Sequence, residues 1–69
     1  MTLERMFPDP PAGWAEDDDH WLVRPLRRAE TIGFWRENPK WSSHGFCQGG
    51  RVFARSIEAA AAFDAAATE

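Results

Sequence analysis

Any core this chain builds has to be made largely of aromatic rings. Its 69 residues hold nine aromatics against seven large aliphatics: Leu3, Leu22, Val23, Leu26, Ile32, Val52 and Ile57. The rings are Phe7, Trp14, Trp21, Phe34, Trp35, Trp41, Phe46, Phe53 and Phe63. Each can bury roughly 150–250 Å². That is enough to hold a domain of this size, which is otherwise marginal, together without a staple. No disulfide is available within the chain, because Cys47 is its one cysteine. Four tryptophans exceed what so small a core encloses easily. At least one is therefore expected on a binding surface, where tryptophan is enriched.

The length supports a single domain spanning residues 1–69. No apolar run approaches the ~18 residues of a membrane span, and no basic-then-apolar leader is present. The expectation is a protein of the bacterial cytoplasm with no membrane association. The formal net charge of −3 conceals a strong segregation. Residues 1–20 carry six acids and one base, residues 21–55 seven bases and two acids, and residues 56–69 three acids.

The pattern of breakers and periodicity divides the chain further. Pro8, Pro10, Pro11 and Gly13 make residues 1–19 an irregular acidic arm, pinned by Phe7 and Trp14. Residues 16–20 read as a solvated turn or loop. Antiparallel strands are expected over 20–55. The first is 20–28, either an edge strand or one whose pairing is limited on one side, because Pro25 cannot donate to a ladder. The second is Thr31–Arg36. After the Glu37-Asn38-Pro39-Lys40 turn, Lys40–Ser42 pairs back, with Trp35 facing Trp41. Phe46 and Cys47 make a brief contact, and Gly49-Gly50 is a turn. The last strand is Arg51–Arg55, with Val52 and Ala54 on one face and Phe53 on the other. Ser56 caps a helix over 56–67 whose buried face is Ala59, Ala60, Phe63, Ala66 and Ala67. The expected fold class is α+β: a small antiparallel sheet of three to four strands with one C-terminal α-helix packed on one face. Such a sheet leaves its other face open to a partner.

Catalytic and metal chemistry find little support in the residues. His44-x-x-Cys47 is one pair where a zinc site needs two. Ser42, Ser43, His44 and Cys47 are chain neighbours, which seldom make a dyad, and no pocket of ~300 Å³ is expected from so short a chain. Cys47-Gln48-Gly49-Gly50-Arg51 lacks the spacing of a phosphate loop. No enzyme activity, cofactor or metal is expected.

Two binding constellations remain. The first is the acidic arm, where Glu16, Asp17, Asp18 and Asp19 present carboxylates to a basic groove and Trp14 or Trp21 anchors the contact. The second mixes cations with rings, as single-strand nucleic-acid binders do: Arg24, Arg27, Arg28, Trp35, Arg36, Lys40 and Trp41. The acidic isoelectric point argues against the second. A small regulator docking a host protein is a third possibility, and a homodimer, crosslinked or not through Cys47, is compatible with each.

Seven arginines to one lysine, with abundant Ala, Gly and Trp, match the usage of a GC-rich bacterial genome or its phage. Trp35-x-x-x-Pro39-x-Trp41, followed by Arg51-Val52-Phe53-Ala54-Arg55-Ser56-Ile57-Glu58 and the alanine run to Phe63, resembles small phage and prophage proteins of strand–strand–helix type. In size, composition and architecture the chain is similar over residues 20–66 to anti-CRISPR proteins. That resemblance implies a non-enzymatic inhibitor. It would bind a Cas protein of an interference complex and block DNA recognition or nuclease recruitment. It transfers no residue role, because that class shares no site motif.

Overall fold

The computed structural model describes residues 6–27 and 33–66. Among these residues four strands form one antiparallel sheet: β1 (Ala15–Glu16), β2 (Leu22–Pro25), β3 (Gly45–Gln48) and β4 (Arg51–Ala54). Their order is β1-β2-β4-β3. A single helical turn, α1 (Phe34–Glu37), lies between β2 and β3, and α2 (Ile57–Ala66) follows β4. The α+β class, with a four-stranded antiparallel sheet and a C-terminal helix, is as expected.

The β3–β4 hairpin closes through Gly49 and Gly50, whose φ values are +61° and +76°. A two-residue connection that matches strand twist needs positive φ at both positions, which glycine supplies without strain. In register, Phe46 faces Phe53 and Cys47 faces Val52, while Val23 faces Phe53 from the other side. Alternation then sorts the side chains. Leu22, Val52 and Ala54 are fully buried on one face together with Arg24. The Ala59, Ala60 and Phe63 stripe of α2 joins the same core. The helix starts as its sequence demands, with the Ala59 N–H donating to Ser56 Oγ at 3.1 Å. The stripe is shorter than periodicity suggests: Ala66 is exposed, and Ala67 lies outside the described residues.

Two expectations for the middle of the chain are corrected and a third is narrowed. Pro25 does not make β2 an edge strand; it sits where pairing is limited on one side, the other expected outcome. β2 is central, paired to both β1 and β4, and its proline is tolerated because β1 covers only Leu22 and Val23. The Thr31–Arg36 strand is replaced at its end by helix, and Thr31 and Ile32 lie outside the described residues. Asn38 closes that helical turn. Its backbone N–H and its side-chain amide both donate to the Phe34 carbonyl, at 3.1 and 2.8 Å. Pro39 then forces Asn38 out of helical geometry, so the turn ends there. Lys40–Ser42 is a series of tight turns, with Trp41 N–H on the Asn38 carbonyl and His44 N–H on the Trp41 carbonyl. Trp35 and Trp41 therefore do not face each other across a hairpin. Both pack toward the core.

Close packing of Trp35 dictates one glycine. A Cβ at Gly45 would sit 2.5 Å from the Trp35 ring and 2.6 Å from the Phe53 carbonyl oxygen. The absence of a side chain there lets the indole lie against β3.

Candidate functional site

The arm is more ordered than its prolines imply. Ala15–Glu16 pairs with β2, and Trp14 is 5% exposed. Trp14 donates its indole N–H to Asp64 Oδ2 at 2.9 Å and sets its ring edge-on to Phe63. It is a core residue and cannot serve as the surface anchor expected of it. Glu16 likewise is not a solvated carboxylate. It accepts the Met6 and Phe7 amides, both at 3.1 Å, and pairs with His20 Nδ1. The His20 hydrogen bond is the main cause holding its pKa below the ordinary carboxylate value; the two amides add to this and desolvation partly opposes it.

That clasp fixes the arm, and its pH dependence has a definite sign. The pKa of Glu16 is lower in the folded chain than in the unfolded one. The clasp is therefore complete above the ordinary carboxylate range and is lost as pH falls through the lowered value. Amide exchange should show Met6 and Phe7 protected at neutral pH and unprotected only in acid. Glu16→Ala should lose that protection at every pH. Undiminished protection in that variant would mean the arm is held by Phe7 packing alone.

Beyond Glu16 the chain makes a locked acidic turn. Asp17 Oδ1 accepts the Asp19 N–H at 3.0 Å and the Trp21 N–H at 2.8 Å, and the Asp17 N–H donates to the Trp21 carbonyl. His20 completes the turn in the left-handed region at φ +65°, a conformation histidine adopts more readily than most residues. Asp17 is spent internally, whereas Asp18 and Asp19 are exposed. The turn ends on Trp21, which is half-buried.

Trp21 belongs to the sheet face opposite α2. The core draws its rings from Trp14, Phe34, Trp35 and Phe63, with Phe7 and Trp41 packed against it. Trp21, Phe46 and Phe53 form a separate cluster. Phe46 stacks on Phe53 at 4.6 Å between centroids, and Trp21 meets Phe46 edge-on at 5.1 Å. The Arg51 guanidinium lies 5.3 Å from the Phe53 centroid, and that of Arg55 lies 4.7 Å from the Trp21 centroid. Both arginines are exposed, and no described element covers this face.

The cation–ring set read from sequence is dispersed. Arg24 is 3% exposed and Trp35 4% exposed, so neither can reach a ligand. Arg24 is buried because even-numbered positions of β2 face the helix, where Asp64 waits. Trp35 is buried because α1 turns it onto Phe63, with the rings 5.6 Å apart. Arg27, Arg36 and Lys40 are exposed, and Lys40 lies over the half-buried Trp41. Arg28 lies outside the described residues. Four residues of the ringed face were not singled out from sequence: Phe46, Arg51, Phe53 and Arg55. Their signal was the period-2 stripe Arg51-x-Phe53-x-Arg55 on one strand.

An open-sided cleft of about 330 Å³ runs beside β3, lined by Trp35, Arg36, Ser42, Gly45, Phe46 and Cys47. Chain length thus does not prevent a cleft of that size, contrary to expectation. Among the described residues its lining includes no carboxylate or imidazole to act as a base. Among the described residues no cluster of His, Cys, Asp and Glu could hold a metal ion, and no helix is long and apolar enough to cross a membrane. No protein-family model, no curated protein and no solved structure matches the chain.

Proposed function

We propose that the chain is a non-enzymatic inhibitor that docks on a nucleic-acid-handling protein complex, with a CRISPR interference complex the instance to which the resemblance points. The observation that carries this reading is the locked turn. Asp17 commits its own carboxylate to Asp19 and Trp21, which fixes the outward positions of Asp18 and Asp19 beside the half-buried indole of Trp21. Protein channels that hold nucleic acid are lined with Lys and Arg. Carboxylates on a rigid support meet such a lining with little ordering cost, and Trp21 supplies an amphipathic anchor. Charge complementarity of this kind speeds encounter more than it deepens affinity.

The test is binding of the chain to a reconstituted interference complex, compared with the Asp18→Asn/Asp19→Asn variant. Both positions are exposed, so the fold should be retained. The association rate should fall by about 10-fold or more at low salt, with a smaller change in dissociation. An association rate that is unchanged and still salt-dependent would remove the acidic turn from the contact. Failure of the parent chain to bind or inhibit any such complex would overturn the proposal as a whole.

A further inference from the structure

We infer that the sheet face that no described element covers is a second binding surface, which takes a short stretch of unpaired nucleic acid. Two bases would stack on Trp21 and Phe53, and Arg55 and Arg51 would hold the adjoining phosphates. The inference does not depend on the inhibitor reading: Trp21 is common to both, but Phe53, Arg51 and Arg55 are not, and the ligand is one the chain would bind by itself.

The ring geometry limits where bases can go. Phe46 and Phe53 stack on each other, so one face of Phe53 is already covered. Its other face lies under Arg51, and a face of Trp21 lies under Arg55. The two arginine side chains over these rings are exposed, and Arg55 is held further by its Nε donating to the Ser43 carbonyl at 3.4 Å. A base can take each place while the guanidinium swings aside to a phosphate, exchanging one stacking contact for another and adding an ion pair. Positions 51 and 55 are four residues apart on an extended segment, roughly 13 Å at 3.3 Å per residue. Four-stranded sheets that present aromatic side chains stack two or three bases over comparable spans.

Charge on the face itself fits an anion, although the whole chain is acidic. The strand positions on this side are Ala15, Val23, Pro25, Phe46, Gln48, Arg51 and Phe53, with Arg55 just beyond β4. They include two cations and no carboxylate. The acids lie at one end, in the turn before Trp21. A polynucleotide strand would therefore leave the face away from Asp18 and Asp19, and those residues should weaken its binding. This gives the two readings opposite signs: removing the two carboxylates should harm a contact with a basic protein and strengthen one with a nucleic acid.

Fluorescence anisotropy with labelled oligothymidine, oligouridine and a duplex of equal length tests the inference on the full chain. Either single strand should bind, and the duplex should bind at least about 10-fold more weakly, since its bases are already stacked. Oligouridine binding alone would support the site in an RNA-selective form, through the 2′-hydroxyl. Two phosphate contacts predict a log–log salt slope of about −1.4 between about 50 and 200 mM. Arg51→Gln/Arg55→Gln should flatten that slope and weaken binding, and Asp18→Asn/Asp19→Asn should strengthen it. Phe53→Ala should cost about 10-fold or more, with circular dichroism verifying the fold. No binding of either single strand at low salt, equal binding of the duplex, or a slope unchanged in the arginine variant would each overturn the inference. None of these results bears on whether the chain inhibits a protein complex.

Discussion

Asp64→Ala should lower the thermal unfolding midpoint by about 12–24 °C, the equivalent of ~3 kcal/mol in a domain of this size. The reason is the number of donors that converge on one carboxylate. Arg24 donates to Oδ1 from Nε at 3.1 Å and from Nη2 at 2.9 Å, and Trp14 donates to Oδ2 from its indole at 2.9 Å. The guanidinium lies 5.3 Å from the centroids of both Trp14 and Phe63, and its Nη1 donates to the Pro25 carbonyl at 2.8 Å. Without Asp64 a cation 3% exposed keeps its desolvation cost and loses the carboxylate that accepts two of its hydrogen bonds. Breaking one side of a buried pair costs about 3–5 kcal/mol; the lower end applies because the Asp64 side chain is one-third exposed, and water can enter.

Two companions separate charge from packing. Asp64→Asn keeps an oxygen acceptor and should cost roughly half as much. Arg24→Met combined with Asp64→Ala should be less damaging than Asp64→Ala alone, because the buried charge is gone. Urea unfolding followed by circular dichroism measures all three. If Asp64→Ala unfolds within error of the parent, the clamp contributes nothing to stability.

This clamp also marks the limit of what the sequence discloses. Arg24 and Asp64 are 40 residues apart, and helical periodicity places Asp64 beside the apolar stripe, not in it. Only the docking of α2 across β2 and β4 brings the pair together. Local signals fared better where the chemistry was local. Ser56 caps its helix, Gly49-Gly50 turns its hairpin, and the alternation around Phe53 sorts the last strand onto two faces. The stretch from Phe34 to Ser42 was misread because two properties compete there. Phe34 and Trp35 have strand propensity, but adjacent strand residues point to opposite faces. A helical turn instead puts both on the core, and Asn38-Pro39 then serves as its stop signal and not as a hairpin turn. The acidic turn was legible as a run of charges. That Asp17 is internal while Asp18 and Asp19 face outward follows from one Asx hydrogen-bond pattern. The ringed face depends on β2 pairing with β4, a non-local register that puts Trp21 beside Arg55.

Phe63→Ala should have the largest effect of any single substitution, a loss of about 3–5 kcal/mol. Phe63 is 1% exposed. It stacks on Trp35, meets Phe34 edge-on at 5.5 Å and Trp14 at 6.4 Å, and underlies Arg24. Four partners lose their common contact at once, and the neighbouring Ala59 and Ala60 are too small to close the void. At about 0.05–0.15 kcal/mol per residue, the whole chain has only about 3–10 kcal/mol of stability. The variant should therefore lose about a third of that stability or more and unfold at much lower urea, with tryptophan emission shifting to the red as Trp14 and Trp35 meet water. Phe63→Leu leaves a smaller void and forfeits mainly the ring contacts, so it should retain the fold at a cost of about 1–2 kcal/mol. Phe53→Ala supplies the contrast. That ring is half-buried on the face away from α2, outside the core cluster, and its removal should cost about 1 kcal/mol. Equal losses at Phe53 and Phe63 would mean the second face is also covered. A wide gap between them is what an open face requires, and it leaves Phe53→Ala folded enough to serve in binding experiments.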